Sequence, residues 1–324
     1  MSPSAIGRAG DAIDLTREYL FAQSVRRYLL LAVMSLFLGP AGVSGPPGPV
    51  EVRDGAFPTG GGELPGLADL AAIVDARLLV AVAVVGLTLL VGYAFVSALV
   101  EFAFVHSLAN RTVQLRRPAR AHWRKAVGLF LFRAVVWSLL AGWSIAILLV
   151  LFDVIDAPFG LDAVVFGLVA FVLGVIVYLL NRLTTDFVVP IMLHEGRSIV
   201  GGWARFATVS RREWREYAVY VPVRILLEVA LGIAIGIVAG IGIIAIAIVL
   251  GIPLGVVLFI VLGPTGLAIT AAVIALAAVV AGALVIVPFH TYLRYYSLLV
   301  LGDTEAGLDL IPNMRRQTRD GRPV

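Results

Sequence analysis

From Val229 to Leu293 the chain runs for 65 residues without an aspartate, glutamate, lysine or arginine. Most of these residues are Val, Ile, Leu, Ala or Gly, so a helix built from them is apolar on every side. A helix on a soluble domain needs a charged face toward water, whereas a helix that crosses a bilayer needs about 20 apolar residues. The run therefore holds at least two crossings, and the sequence predicts an integral membrane protein.

The composition of the whole chain agrees with this class. Hydrophobic residues make up 60% and charged residues 14%, and the mean hydropathy is +0.99, which is outside the range of soluble domains. The absence of cysteine excludes a disulfide framework, a thiolate nucleophile and a cysteine-ligated metal. No nucleophile–base pattern or cofactor motif stands out, so we expect no catalytic residues, no cofactor and no enzyme.

The pattern of apolar segments predicts an all-α, six-helix integral membrane bundle with an N-terminal amphipathic interfacial helix. Residues 1–27 form the amphipathic segment, 28–302 the transmembrane domain and 303–324 a cytoplasmic tail. A Gly/Pro-rich stretch at 44–72 has no helical period and predicts an extracytoplasmic loop. The six crossings are predicted at about 28–43, 78–105, 127–152, 163–183, 221–250 and 267–289.

The N-terminal segment predicts a helix that lies at the membrane surface. Its apolar contacts with the interface are expected from Ile13, Leu20, Phe21 and Val25. The alternative is a helix that precedes the first crossing without touching lipid.

The distribution of basic residues predicts the orientation, because short loops that carry Lys and Arg stay in the cytoplasm. Alternate segments carry 21 of these residues on one side, against only Arg53 and Arg77 on the other. Both termini are therefore predicted to be cytoplasmic, with an even number of crossings. A third crossing in the long apolar run would place the tail outside. We therefore expect two crossings there, plus a re-entrant or surface piece around GIPLGVVLFIVLGP.

Charged residues inside apolar helices are costly, so they are functional candidates by default. Glu101 and Arg133 fall at similar depth in neighbouring antiparallel helices and predict an ion pair. Arg224 and Glu228 are four residues apart on one helix face and can pair locally. These pairs either neutralise each other and fix the helix register, or they form a polar path for a proton, an ion or a substrate.

The end of the sixth helix carries the motif TYLRYYSLL. Tyr292, Tyr295 and Tyr296 are expected at the cytoplasmic headgroup level, where an aromatic ring meets lipid and its hydroxyl meets water. Arg294 is expected to reach a backbone carbonyl, a carboxylate such as Asp186, or a lipid phosphate. Interfacial anchoring and a binding site are the two interpretations.

Small residues recur every fourth position on the fifth helix, at Gly232, Gly236 and Gly240. Such spacing lets helix backbones approach closely in lipid. It predicts packing within one molecule, and the alternative is the seam of a homo-oligomer.

The loop GWARFATVSRREWREYAVY mixes aromatic residues with arginines. This mixture is typical of a helix at the headgroup level that binds anionic lipid, and the loop is too short to favour nucleic acid. The four histidines match no local metal-ligand spacing, so we expect no metal site. Nothing in the sequence specifies a protein partner.

Three strings carry a family likeness: EFAFVHSL, TTDFVVPIM and TYLRYYSLLVLGD. They resemble a family of uncharacterised multi-pass membrane proteins of halophilic archaea and, more distantly, the membrane domain attached to some glycerophosphodiester phosphodiesterases. The resemblance implies a six-helix membrane bundle but no substrate, because the phosphodiesterase barrel is a separate domain that no loop here could hold. The matching positions are Glu101, Phe102, Thr184, Thr185, Asp186, Pro190, Tyr292, Arg294, Tyr295 and Tyr296.

These observations predict a non-enzymatic membrane-organising or partner-binding protein with an arginine-rich cytoplasmic face. The alternative is a small transporter or channel that uses the buried polar pairs. The interior of the bundle separates the two hypotheses. An organising protein predicts a sealed interior, whereas a transporter predicts a water-accessible cavity that reaches Glu101 or Arg224.

Overall fold

The computed structural model describes residues 4–38, 76–151 and 163–319. Within these ranges the secondary structure is helical and contains no β-strand, which confirms the predicted all-α bundle. The predicted loop at 44–72, the end of the first predicted crossing at 39–43 and the last residues of the tail lie outside the described residues.

The first six helices are, in chain order, α1 (Ser4–Phe21), α2 (Val25–Phe37), α3 (Ala76–Asn110), α4 (Arg116–Ala121), α5 (Trp123–Leu151) and α6 (Ala163–Leu183). A π-helical turn (Thr184–Val188) joins α6 to α7 (Val189–Glu195), and α8 (Ile199–Arg212) follows. A second π-helical turn (Ala247–Gly251) joins α9 (Trp214–Ile246) to α10 (Ile252–Leu262). The chain continues through α11 (Pro264–Thr304), a 3₁₀ turn (Ala306–Leu308) and α12 (Pro312–Arg319).

Five helical segments in the described part of the chain are long and apolar enough to cross a membrane: Val80–Asn110, Trp123–Ile147, Val165–Glu195, Trp214–Leu262 and Pro264–Thr304. Helix α2 stands where the first crossing is predicted, but it has only 13 residues. At 1.5 Å per residue it is roughly 20 Å long, which is less than the hydrocarbon thickness of about 30 Å.

The long apolar run forms a helical hairpin, and the piece GIPLGVVLFIVLGP supplies α10 and the turn of this hairpin. The chain stays helical to Leu262, reverses at Gly263 and starts α11 at Pro264. Gly263 has φ 61° and ψ −143°, a conformation that glycine adopts without strain. A Cβ atom on Gly266 would lie 2.2 Å from the carbonyl oxygen of Leu258. One tight glycine turn therefore reverses the chain, and no charged residue is needed to form the turn.

The bundle has two ends with different packing. At the packed end (residues 98–108, 184–192 and 291–301) most side chains are buried, including those of Phe102, Phe187 and Tyr296. At the apolar end (residues 80–93, 229–250 and 271–282) no residue is buried, although the side chains are mostly aliphatic. An exposed aliphatic surface of this extent is stable in contact with lipid and not with water.

Helix α1 packs along the last part of α11, at the packed end. Ala12, Leu15 and Tyr19 are buried on this contact, and Arg8 pairs with Asp303 across it. Three of the residues expected to touch the membrane interface remain exposed, namely Ile13, Phe21 and Val25.

The residues after α11 fold back onto the packed end. Leu308, Ile311 and Met314 are buried there. Arg315 lies 3.0 Å from Asp303 and 2.8 Å from Asp309. The segment predicted as a cytoplasmic tail therefore contributes apolar side chains to the core.

The three tyrosines at the end of α11 are buried in the protein, so their predicted place at the lipid headgroups is wrong. Helix α1 covers Tyr295 through an edge-to-face contact with Tyr19, and α9 covers Tyr296 through a stacked contact with Tyr220. Tyr292 is 9% exposed. Helices distant in sequence close over these rings, and the local motif alone gives no sign of them.

Candidate functional site

The site begins with an irregular turn between α6 and α7. In this π-helical turn the N–H of Val189 donates to the carbonyl of Thr184, five residues back. The next residue is Pro190, which has no N–H, so the carbonyl of Thr185 lacks a donor in the same register. Arg294 Nη1 on α11 donates to that carbonyl. The proline thus creates a backbone acceptor inside the bundle, in a kind of turn that is frequent at functional sites.

Glu101 on α3 forms the first centre of charge. One carboxylate oxygen accepts from Arg294 Nη2, and the other lies 3.3 Å from Arg133 Nη2 on α5. Arg133 also donates to Thr185 Oγ1 at 2.8 Å and to Asn181 Oδ1 at 3.2 Å. Glu101 therefore connects three helices, and its pair with Arg133 has the geometry expected of a hairpin.

Asp186, within the π-helical turn, forms the second centre. Its Oδ2 atom accepts hydrogen bonds from the Tyr220 hydroxyl at 2.8 Å and from Arg224 Nε at 3.2 Å. Arg182 Nε lies 3.1 Å from the same oxygen, and Arg294 Nη1 lies 3.7 Å from Oδ1. Asp186 therefore joins α6, α9 and α11.

Glu228 on α9 forms the third centre. It accepts a hydrogen bond of 2.5 Å from the Tyr178 hydroxyl and pairs with Arg182 Nη2 on α6. Arg224, one turn earlier on α9, lies 3.1 Å from Glu228 Oε1. Arg182 and Arg224 each contact both Asp186 and Glu228, so the second and third centres form one continuous cluster.

We refer to Glu101, Arg133, Arg182, Asp186, Arg224, Glu228 and Arg294 as the buried network. It contains three carboxylates and four guanidinium groups, and it links α3, α5, α6, α9 and α11. The side chains of Glu101 and Asp186 are 2% exposed, and that of Arg224 is 3% exposed. Charges this deeply buried are tolerated only with partners, and every member of the network has one.

The network lies inside the membrane-spanning segments. Trp123 begins α5 and Trp214 begins α9, and both side chains are exposed. Arg133 and Arg224 follow these tryptophans by ten residues each, which is about 15 Å along a helix. Exposed tryptophans at the ends of spanning helices are typical of the lipid–water interface, so the charges sit well within the bundle.

A small cavity adjoins the network. Its volume is about 30 Å³, which suffices for a water molecule or two. The residues that line it include Arg182, Asp186, Arg224, Glu228, His290 and Arg294.

All six polar residues singled out from the sequence lie in the buried network: Glu101, Arg133, Asp186, Arg224, Glu228 and Arg294. The sequence analysis does not single out Arg182, which lies at the end of the predicted crossing at 163–183. Its position four residues before Asp186 was the available signal, since residues so spaced face each other on a helix. Tyr178 and Tyr220 carried no comparable signal.

The predicted glycine stripe lies outside this site, on the apolar end of α9. A Cβ atom on Gly236 or Gly240 would meet nothing within 4 Å, and Gly232 is half-buried. Within the described chain, no helix packs closely against Gly236 and Gly240. A homo-oligomer through this face stays a prediction.

The comparisons with known proteins bear on the whole chain. No curated protein matches the sequence, and no solved structure matches it either. A model described as "Family of unknown function (DUF7544)" matches residues 3–311, a range that includes every helix of the buried network. The likeness to an uncharacterised family is thereby confirmed, while the likeness to halophilic archaeal proteins and to the phosphodiesterase membrane domain stays a prediction. The chain belongs to the family of unknown function DUF7544.

Proposed function

We propose that the protein is a non-enzymatic membrane protein that organises anionic lipid or partner proteins at an arginine-rich cytoplasmic face. The observation that carries this proposal is the closure of the buried network. Its charges are paired with one another across five helices, and the adjoining cavity has room for only a water molecule or two. A bundle with this interior has little room for a substrate.

The network supports a structural role because its partners come from different helices. Arg294 binds Glu101 on α3 and the Thr185 carbonyl between α6 and α7. Arg182 joins α6 to α9 through Glu228. In lipid, polar contacts between helices help to hold a bundle together. The network thus fixes the packed end, from which the exposed arginines project.

The arginine-rich face supplies the binding surface. Trp123 and Trp214 are 52% and 61% exposed, and an arginine follows each of them, with its guanidinium carbon 5.6 Å and 5.7 Å from the indole ring centre. Each basic residue near an anionic membrane surface contributes roughly 1 kcal/mol of attraction. The exposed arginines on this face include Arg116, Arg117, Arg120, Arg124, Arg211 and Arg215.

The orientation belongs to the same proposal. Both termini and the packed end lie on the cytoplasmic side of the cell membrane. In this orientation the arginine-rich segments contact the anionic inner leaflet. The asymmetry of 21 basic residues against Arg53 and Arg77 supports this assignment.

Reconstitution of the full chain tests the organising role. Fluorescent phosphatidylglycerol should be enriched around the protein in liposomes that contain mostly phosphatidylcholine, as measured by energy transfer from tryptophan. A quadruple variant (Arg116→Gln, Arg117→Gln, Arg120→Gln, Arg124→Gln) should lose most of this enrichment and still unfold at the wild-type temperature. Equal transfer from both lipids in the wild type would contradict the proposal.

A small transporter or channel is the second candidate, and the water-sized cavity beside Arg224 and Glu228 favours it. Water there and the Tyr178 hydroxyl could carry a proton to Glu228. The same liposomes, loaded with a pH-sensitive dye, test this function. Proton flux above that of protein-free vesicles, abolished by Glu228→Gln and retained in the Thr208→Ala control, would favour transport over organisation.

A further inference from the structure

A groove opens at the start of α2, apart from the buried network. Its volume is about 630 Å³. The residues lining it include Ser24, Arg26, Arg27, Leu29, Val33 and Val113. It combines a cationic entrance with an apolar wall, which is the chemistry of an amphiphile site.

Among the residues that the structure describes, the cations at the entrance have no acidic partner. Arg26 and Arg27 are exposed, and neither lies within ion-pairing distance of a carboxylate in the part of the chain that the structure describes. The first turn of α2 contains no acidic residue. Glu18, on the preceding helix, lies 3.3 Å from Arg111. Two positive charges therefore stand together without a counter-charge from the described residues.

The apolar wall continues from the same face of α2. Leu29, Val33 and Leu36 follow Arg26 at spacings of three, four and three residues, which places the four side chains in one row along the helix. The three apolar side chains are 47%, 47% and 41% exposed. A chain of methylene groups lying on this row would bury them.

The groove is held against the membrane-spanning helices. The Tyr28 hydroxyl donates to the carbonyl of Leu284 on α11 at 2.9 Å, and the Tyr93 hydroxyl on α3 donates to the carbonyl of Leu36 at 2.8 Å. Both ends of α2 are thus fixed to helices that cross the bilayer. The row of Leu29, Val33 and Leu36 is exposed beside these two helices, so a lipid that surrounds them can reach it.

We propose that this groove binds one anionic phospholipid, with its phosphate between Arg26 and Arg27 and an acyl chain along Leu29 and Val33. Guanidinium groups bind phosphate oxygens in pairs of parallel hydrogen bonds. An anionic headgroup is preferred over a zwitterionic one because no choline cation cancels the charge of its phosphate, which stays available to both arginines. The inference rests on the proposed affinity of the arginine-rich face for anionic lipid and assigns one position on that face to a single lipid.

Native mass spectrometry of the full chain, released from detergent with defined lipid, tests the site. Wild-type protein should retain one phosphatidylglycerol in preference to phosphatidylcholine. Arg26→Gln with Arg27→Gln should weaken this binding by about 30-fold, since each arginine near an anionic headgroup contributes roughly fivefold. The control, Arg197→Gln with Arg316→Gln, removes two exposed arginines that lie outside the arginine-rich face and outside the groove, and it should change the affinity less than twofold.

Two further variants separate the lipid from other ligands. Val33→Trp fills the apolar row without changing the charge and should also reduce retention of phosphatidylglycerol. Inorganic phosphate at millimolar concentration should not displace the lipid, because it makes no contact with the row. All variants should unfold at the wild-type temperature in lipid-free detergent, since the substituted side chains are exposed.

The outcomes distinguish this inference from the proposed function. Equal losses in the two double-arginine variants would overturn the groove and leave the general affinity for anionic lipid intact. No preference for phosphatidylglycerol in the wild type would overturn both. Displacement by inorganic phosphate, or full retention in Val33→Trp, would show that the arginines bind an anion without a seated lipid and would also overturn the inference.

Discussion

Tyr220 and Tyr296 stack with their ring centres 5.4 Å apart and their planes 12° from parallel, but their hydroxyl groups have different surroundings. The Tyr220 hydroxyl donates to Asp186 at 2.8 Å. The Tyr296 hydroxyl is buried and has no hydrogen-bond partner among the described residues. The ring pair packs α9 against α11, whereas only one member belongs to the polar contacts of the site.

This difference predicts unequal effects of removing the two hydroxyls. Tyr220→Phe should destabilise the protein by about 1.5–3 kcal/mol, because a hydrogen bond to a charged group is lost. Tyr296→Phe should leave stability unchanged or raise it slightly, since it removes an unsatisfied polar atom. Thermal or denaturant unfolding in detergent measures both. Equal losses would contradict the assigned hydrogen bonds.

The contacts of Arg294 predict that lysine cannot replace it. One guanidinium group serves both Glu101 and the Thr185 carbonyl, and a lysine ammonium group cannot reproduce that fork. Arg294→Lys should therefore lower the unfolding temperature clearly. A silent Arg294→Lys would show that the residue acts only as a positive charge.

The role of Pro190 predicts coupling with Arg294. Pro190→Ala supplies an N–H that can bind the Thr185 carbonyl, so that acceptor no longer depends on Arg294. The loss of unfolding free energy caused by Arg294→Lys should then be about 1 kcal/mol smaller in the Pro190→Ala background than in the wild type. This is a typical coupling energy between contacting groups. A double-mutant cycle on unfolding free energies measures the coupling, and strict additivity would contradict it.

The buried pair of Glu101 and Arg133 makes a similar prediction. Glu101→Gln removes the charge that faces both Arg133 and Arg294, and breaking a buried pair typically costs about 3–5 kcal/mol. Arg133→Met in the Glu101→Gln background should cost less than Arg133→Met alone, because its partner is already neutral. Denaturant unfolding of the two single variants and the double variant measures this. If the two losses of unfolding free energy simply add, the pair is not coupled.

The helical hairpin predicts that Gly266 tolerates no side chain. A Cβ atom there would collide with the Leu258 carbonyl, so Gly266→Ala should destabilise the protein by about 1–3 kcal/mol through overpacking. Gly282→Ala is the matched control on the same helix, because its Cβ position is open. If both variants unfold at the same temperature, the close approach of α10 and α11 is wrong.

The proposed orientation predicts the labelling of single cysteines in this cysteine-free chain. Ser210→Cys, in α8, should be protected from a membrane-impermeant maleimide in intact cells and should react after lysis. Gly61→Cys, in the segment predicted outside from its sequence, should react in intact cells. The reverse pattern would invert the topology.

The sequence by itself determined that the chain lies in a lipid bilayer, and it identified many residues of the candidate site. The run from Val229 to Leu293 requires a bilayer, because the free energy of moving a helix from water into lipid depends on the composition of that segment alone. Charges are rare in such helices, which also identified Glu101, Arg133, Arg224 and Glu228. The free-energy cost of a charge in the bilayer depends on its position along the helix, which can be read from the sequence.

The tertiary structure alone decided which of these charges meet and which aromatic rings face lipid. Arg294 binds Glu101 across 193 positions of the chain, and the burial of Tyr295 depends on α1 folding back along α11. Contacts between distant segments arise from the packing of whole helices. Periodicity and composition describe single segments, so they leave the choice of partner open. For the same reason the sequence does not single out Arg182, although the fold places it between Asp186 and Glu228.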